Sequence, residues 1–399
     1  MTLSTFAALA ALSLAAWLYL IVGRGAFWRA DKVRADTQPT ELPSWPAVVA
    51  VIPARDEALT IGCTVLSVLR QDYGGALTLV VVDDGSRDGT AESARRAAAT
   101  CSDGAGRLQI LAGNELPVGW SGKVWAMDQG VRHADVVAPD ATYVLLTDAD
   151  IEHDASNVRI LVGMAEAGRL DLVSLMVRLS TKGRWSRLLI PAFVFFFQKL
   201  FPFAWVNDAR RPTAAAAGGC ILVRRSALRQ AGGMASIRAN LIDDCALARR
   251  VKGSGAIWLG LTTAVSSLRP YEGLGDIWRM VARTAFEQLG HSFWLVLASV
   301  LGMVVLYLAP PACLISGLLM GDPVAAVMGT AAWLSMAVAY RPTLRLYGEP
   351  AWMALTLPLA GLLYTLMTID SAWRSWRGRG GGWKARTYPT GRRRDAGTA

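Results

Sequence analysis

The sequence predicts an α/β domain with a mostly parallel sheet, tied to a membrane by apolar helices at both ends. Three observations point there. An apolar run, Val144-Leu145-Leu146-Thr147, ends in two carboxylates one residue apart, Asp148 and Asp150. Short Val/Ile/Leu runs alternate with Ala- and Arg-rich segments of helical spacing. Of 399 residues, 53% are hydrophobic and only 18% charged, less charge than a soluble domain of that size carries.

Residues 3–23 form an uninterrupted apolar stretch, long enough to cross a bilayer. No Lys or Arg precedes it, whereas Arg24, Arg29, Lys32 and Arg34 follow. A cleaved signal peptide carries its charge in front. This arrangement predicts a retained anchor over 1–24, with the next segment in the cytoplasm. Three more apolar stretches, at 293–318, 323–340 and 351–370, predict membrane segments over 291–371; Pro310-Pro311 interrupts the first and Pro358 lies in the last. The tail over 372–399 is the most basic part, with Arg374, Arg377, Arg379, Lys384, Arg386, Arg392, Arg393 and Arg394. Three crossings after a cytoplasmic domain would leave this tail outside, against the positive-inside tendency. The expectation is therefore that one stretch, best the Pro-bearing 351–370, is re-entrant or interfacial; the alternative is a tail that faces out.

The formal charge is +10. Its positives cluster beside apolar spans, so anionic lipid head groups, and not nucleic acid, are the expected partner. Five cysteines, Cys63, Cys101, Cys220, Cys245 and Cys313, include no Cys-x-x-Cys pair. Neither a disulfide framework nor a zinc site is suggested, in keeping with a reducing compartment.

Between the anchor and the last spans lies a globular domain, over 45–290. Residues 47–53 read as a buried first strand running into Ala54-Arg55-Asp56-Glu57, with helical spacing over 58–71. Residues 77–82 form a second strand that ends at Asp83-Asp84-Gly85-Ser86, before Arg87-Asp88-Gly89-Thr90 and another helix. Strands joined through helices are parallel βαβ units. A third strand near 107–112 and one at 143–147 extend the sheet. Alternation along the backbone points Asp148 and Asp150 to one side, at the strand end where open α/β sheets take ligands. Two hard carboxylates there suit Mg²⁺ or Mn²⁺ held against nucleotide phosphates. Taken singly, each acidic turn also reads as a solvated turn or a helix cap, as do Glu152 and Asp154.

Residues 188–206 are unusually aromatic, with a Pro near each end and Lys199 inside, and read as an interfacial segment or a core helix. Small residues over 213–219 lead into a strand that ends at Arg224-Arg225-Ser226, which suits a close approach of backbone to ligand or a tight crossing. Asp243 and Asp244 open a helical pattern, where the macrodipole favours acids. Arg279 and Arg283 stand one helical turn apart, facing a diphosphate or snorkelling toward lipid head groups.

Pro53-x-x-x-Glu57 after strand one, Asp83-Asp84-Gly85-Ser86 after strand two, then Gly122-Lys123 and Asp148-x-Asp150 come in a telling order. Over roughly 47–290 the chain resembles the family 2 glycosyltransferases, whose nucleotide-sugar domain has the GT-A fold. The resemblance implies Pro53, Ala54 and Arg55 at the nucleotide-sugar, Glu57, Asp83 and Asp84 at its nucleoside, and Lys123 at the diphosphate; the alternative for Lys123 is a solvated surface lysine. Asp148 and Asp150 would be the metal aspartates, with Asp148 also on the donor; Gly218, Gly219 and Cys220 would line the acceptor side. Asp243 and Asp244 match an acidic pair whose second member is the general base, and Arg279 with Arg283 would add to the donor site. Processive relatives carry Gln/Arg-x-x-Arg-Trp; Arg283 matches the motif Arg, but Met280 and Thr284 depart from it, against a polysaccharide synthase with a long acceptor channel.

The whole layout is similar to the hopene-associated glycosyltransferases of bacterial hopanoid gene clusters. Carrying that similarity are Gly119-Trp120-Ser121-Gly122-Lys123, Ile242-Asp243-Asp244-Cys245, Arg283-Thr284-Ala285-Phe286 and the tail from Gly380 to Tyr388, with Ala385 where Gly is expected. It implies a multi-pass enzyme of the bacterial inner membrane with its catalytic domain toward the cytoplasm. It further implies a divalent metal (Mg²⁺ or Mn²⁺), a nucleotide-sugar donor expected to be UDP-linked, and a hopanoid or related lipid hydroxyl as acceptor. The alternatives are transfer to polyprenyl phosphate and a non-catalytic membrane scaffold. Trp383, Lys384, Arg386 and Tyr388 either close over the site or anchor the last helix.

Overall fold

The computed structural model describes residues 4–30 and 42–377, and the backbone of 382–383 and 386–387. Its contacts form two compact units: Tyr19–Tyr271 with Ala339–Met353, and Met1–Leu18 with Glu272–Val338 and Ala354–Ala399. After helix α1 (Thr5–Gly23), the first of these units holds an eight-stranded sheet. Its strands are β1 (Val48–Ala54), β2 (Leu77–Asp83), β3 (Leu108–Ala112), β4 (Tyr143–Leu146), β5 (Ile151–His153), β6 (Leu172–Arg178), β7 (Ile221–Arg224) and β8 (Ile257–Ser267). Between them run α2 (Ile61–Leu69), α3 (Thr90–Ala99), α4 (Gly104–Arg107), α5 (Gly122–Val137), α6 (Asn157–Ala167), α7 (Arg184–Leu200), α8 (Phe203–Val206), α9 (Arg225–Gln230) and α10 (Asp243–Lys252).

The strand order is β3-β2-β1-β4-β7-β6-β8-β5. Every residue of β1 is buried, which is why Val-Val-Ala-Val-Ile-Pro-Ala carries no polar face. It pairs in parallel with β2 on one side and β4 on the other. The chain thus steps outward from β1 to β2 and β3, then returns to the opposite side of β1 at β4. That reversal opens a crevice beyond the carboxyl ends of β1 and β4.

Past β4 the sheet becomes mixed. β7 is antiparallel to both β4 and β6, and β5 is antiparallel to β8, while the other six strands run one way. A buried strand is apolar whichever way it runs, so periodicity does not report direction. The two reversals at β7 have a useful result. β8, parallel to β6, runs the same way as β4, so the residues after β8 and those before β7 emerge at the crevice edge.

Helix α5 covers β1 and β2 through Gly130. A Cβ there would lie 2.4 Å from Val51 Cγ1 and 2.9 Å from Val82 Cγ2, both on stiff β-branched side chains. In the aromatic segment, α7 buries Leu189, Ile190, Val194, Phe195 and Phe196 inside the α/β unit, while Leu200 is exposed. Residues 339–353 cluster with this unit. Tyr340 packs edge-on against Phe195 with ring centroids 5.2 Å apart, and Glu349 pairs with Arg187 at 2.8 Å.

The other unit holds α11 (Leu274–Gln288), α12 (Phe293–Met303), a π-helical turn (Val304–Leu308), α13 (Ala309–Met320), most of α14 (Pro323–Tyr347), and α15 (Leu357–Trp376). Residues 272–290, expected to end the globular domain, therefore cluster with the apolar helices. Among the described residues four helical runs are long and apolar enough to cross a membrane: Thr5–Gly23, Phe293–Met320, Pro323–Tyr347 and Ala351–Trp376. One stands near the N-terminus and three near the C-terminus. The stretch suspected of re-entry is continuous helix, begun by a 3₁₀ turn over Ala351–Thr356. Pro358 sits in the first turn of α15, where a missing N–H leaves no bond unmade.

Pro310-Pro311 does not break its span but reshapes it. The carbonyl of Leu306 would receive its bond from residue 310 in an α-helix or 311 in a π-helix, and neither proline has an N–H. Trp17 of α1 fills the gap: its indole Nε1 donates to Leu306 O at 2.7 Å. The same indole meets Tyr307 edge-on at 5.6 Å, and both rings are fully buried. In the tail, the backbone of Gly382–Trp383 pairs antiparallel with Arg386–Thr387; Lys384, Ala385 and Tyr388 lie outside the described residues.

Gly130→Ala is expected to cost about 1–3 kcal/mol by overpacking α5 against the sheet. Thermal unfolding of the detergent-solubilised protein checks this. Gly106→Ala, where a Cβ meets nothing within 4 Å, should leave the midpoint unchanged or higher.

Candidate active site

The turns after β1 and β2 are knitted together before any ligand is considered. Asp56 takes a left-handed conformation (φ 51°); its N–H donates to Ser86 Oγ at 3.0 Å, and its Oδ1 accepts from Arg87 N at 2.9 Å. Glu57 N donates to Thr90 Oγ1 and Ala58 N to Asp88 Oδ2, each at 2.9 Å. Asp83 Oδ1 accepts from Ser86 N at 2.9 Å, which shapes the Asp-Asp-Gly-Ser turn. Pro53 and Ala54 are buried within β1. Arg55 donates to the Asp84 carbonyl and pairs with its carboxylate at 3.4 Å; Asp84 is only 2% exposed. Of this set, Arg55 and Asp84 are thus mutual partners.

Lys123 comes from the first turn of α5, whose start is capped by Ser121 Oγ accepting from Val124 N. Its Nζ lies 2.8 Å from Asp148 Oδ1 and 3.4 Å from Asp243 Oδ2. Burial pulls the Lys123 ammonium down, but Asp148, Asp243 and Asp244 more than offset that and hold its pKa above the ordinary lysine value. Asp148 ends the run after β4, and Asp243 opens α10. One ammonium therefore joins two acidic motifs about a hundred residues apart in sequence. The solvated surface lysine weighed from sequence is not what the structure has.

Asp244 is oriented by backbone on both oxygens: Oδ2 accepts from Gly218 N at 2.9 Å and Oδ1 from Cys245 N at 2.7 Å. Burial, with Asp243 beside it and against the pull of Lys123, pushes its carboxyl up to about 6. Gly218 is glycine for a spatial reason. A Cβ there would come 3.2 Å from Lys123 Nζ and 3.4 Å from Asp244 Oδ2. At Gly219 the crowding is with the sheet: a Cβ would meet Val177 Cγ2 at 2.6 Å. Cys220 departs from the acceptor-side expectation, since its side chain is fully buried in the core, where Sγ accepts from Asn157 Nδ2 at 3.6 Å and burial pushes the thiol up to about 12.

Two features escaped the sequence. Arg269, two residues beyond β8, bridges carboxylates from two motifs: Nε donates to Asp150 Oδ2 and Nη2 to Glu57 Oε1, both at 2.9 Å. Asp150 has its carboxyl raised by burial and by nearby Asp148 and Glu57, against the Arg269 charge. The second is a buried relay behind Asp148. Asn157 Nδ2 donates to His153 Nδ1 at 2.9 Å, His153 Nε2 meets Thr147 Oγ1 at 2.9 Å, and Thr147 Oγ1 donates to Gly219 O at 2.8 Å. Burial lowers His153 to about 4, so it stays neutral and the relay stays intact at ordinary pH. Arg279 and Arg283 lie on α11 in the other unit, where Arg279 pairs with Asp276.

Among the described residues no three His, Cys, Asp or Glu side chains gather as a metal cage. The donor set still fits a divalent cation, because Mg²⁺ is usually held by one or two carboxylates together with substrate phosphates and waters. Asp148, with 35% of its side chain exposed, and Asp150 supply two hard oxygen donors on one turn.

Residues 49–232 match the family model Glycosyl transferase family 2. Among solved structures the chain is similar to the mannosyltransferase PcManGT from Pyrobaculum calidifontis, in complex with GDP-Man and Mn²⁺; identity is 20%, the TM-score is 0.55, and the match covers 93% of this chain and 99% of that one. Weaker likenesses are to glucosyl-3-phosphoglycerate synthase of M. tuberculosis (19% identity, TM-score 0.40, 61% of this chain and 80% of that one) and to mannosyl-3-phosphoglycerate synthase of Rubrobacter xylanophilus (20%, 0.38, 70% and 85%). No curated protein matches the chain. The mixed α/β sheet is of GT-A type, residues 49–232 are a glycosyltransferase family 2 domain, and the protein that carries it is a glycosyltransferase.

Proposed function

We propose that the protein is a metal-dependent, inverting glycosyltransferase that moves a sugar from a nucleotide-sugar to the hydroxyl of a membrane lipid, of hopanoid or related isoprenoid type. The observation that carries this reading is the Lys123 bridge, which brings a donor-side aspartate and an acid pair around a single cation. Four helices apolar enough to span a bilayer support a lipid acceptor, and the hopene-associated motifs narrow its class. The PcManGT structure, with GDP-Man and Mn²⁺, supports a nucleotide-sugar donor and a divalent cation.

In this reading Asp148 and Asp150 would hold Mg²⁺ or Mn²⁺, which when bound supplies positive charge to the departing diphosphate. Glu57, Asp83 and Asp84 with Arg55 shape the nucleoside side. Asp244, fixed by two backbone N–H groups, takes the acceptor hydroxyl's proton as that oxygen bonds to the anomeric carbon. The anomeric carbon–phosphate oxygen bond breaks at once, and the nucleoside diphosphate leaves with the electron pair. One displacement inverts the configuration. Lys123 offsets the charge growing on the leaving group.

Asp244→Asn keeps an acceptor oxygen for one of the two backbone donors, sets an NH2 against the other, and has no base, so kcat should fall about 10²–10⁴-fold. Transfer to a polyprenyl phosphate, whose acceptor is already an anion, would lose far less. For the wild type, kcat/KM is expected to rise with pH through a limb near 6, where Asp244 loses its proton. In Lys123→Met the cation that draws this carboxyl down is gone, so the residual activity should show that limb at higher pH. The reaction is followed with UDP- and GDP-sugars and membrane lipid extract, with and without chelator. Turnover unaffected by chelation or by Asp244→Asn would overturn the mechanism.

A further inference from the structure

We propose that Arg269 is a positioning residue that serves as resident counter-ion of the divalent-metal position, holding Asp150 until metal and nucleotide together displace it. This rests on the reading that Asp148 and Asp150 receive the metal. Glu57 and Asp150 expose only 14% and 11% of their side chains and both lie 2.9 Å from the same guanidinium, so these two part-buried carboxylates need a cation between them. Arg269 supplies it, with a fork that spans one oxygen of Asp150 and one of Glu57. A divalent ion on Asp150 Oδ2 would lie against the guanidinium, and two cations on one oxygen repel. The metal and Arg269 are therefore competitors for Asp150.

The local architecture suits an exchange. Leu268 N donates to Asp150 O at 2.7 Å, which pins the backbone beside the site. The Arg269 side chain is 45% exposed, so it leaves Asp150 without disturbing the core. Incoming diphosphate offers the freed guanidinium a new anionic partner. Metal and nucleotide uptake are thereby coupled: metal alone must evict Arg269 uncompensated, whereas metal with diphosphate need not.

Mn²⁺ binding to the full-length protein in detergent, by EPR or calorimetry without any sugar transfer, tests this. Nucleotide-free Arg269→Gln should bind Mn²⁺ roughly tenfold more tightly than wild type, and UDP or GDP should then improve Mn²⁺ affinity less than in wild type. Arg269→Lys, whose single ammonium cannot span both carboxylates, should fall between them, and it serves if the glutamine variant does not fold. Asp148→Asn should lose Mn²⁺ binding, which locates the signal. If wild type takes up Mn²⁺ with nucleotide but neither Arg269 variant binds it more tightly, the counter-ion role is wrong and the metal assignment stands. If no form binds Mn²⁺ with either nucleotide, the metal reading falls and this inference with it.

Discussion

The α/β unit is organised around one ammonium. Lys123 Nζ is the shared partner of Asp148, at the end of the β4 run, and Asp243, at the start of α10. Removing acidic residues from water beside one another is unfavourable unless a cation stands between them. Lys123 meets that need while exposing a fifth of its own side chain. Much of the surrounding geometry follows. Gly218 has no side chain because the ammonium and Asp244 converge on it, and α5 must start where it does for Lys123 to reach. The strand reversal at β1 and β4 sets the stage, but the charge bridge fixes which loops meet there.

The first half of the fold was legible because its strands are fully buried and punctuated. Val48–Ala54 and Leu77–Asp83 fall within a residue or two of the strands read from sequence, each a β-branched run closed by an acidic turn. The acidic residues stood out for the same reason: carboxylates at the ends of apolar runs need an explanation. Arg269 and His153 gave no such signal. Arg269 is one arginine among many, and its importance comes from β8 lying three strands away from β4 and ending at the same edge. His153 hides in a three-residue strand, and only the fold brings Thr147, Asn157 and Gly219 to it. Strand direction was invisible too, because burial looks alike in both senses.

Cys220 shows the limit of carrying a motif from resemblance to role. It stands at a position a family pattern marks. Its side chain turns into the core, where an acceptor cannot reach it. Sequence position places a residue at a site, but alternation and packing decide which way it faces.

The indole of Trp17 and the carbonyl of Leu306 are separated by 289 residues, and proline denies that carbonyl any helical donor. At about 5–20 residues per second, a ribosome takes roughly fifteen to sixty seconds to make the intervening chain. For that interval the first helix exists without its counterpart, and when the later helix is made, it arrives with an unsatisfied oxygen. The helix that carries Trp17 is thus a structural part kept in waiting, and its packing is complete only when the segment around Leu306 comes to meet it.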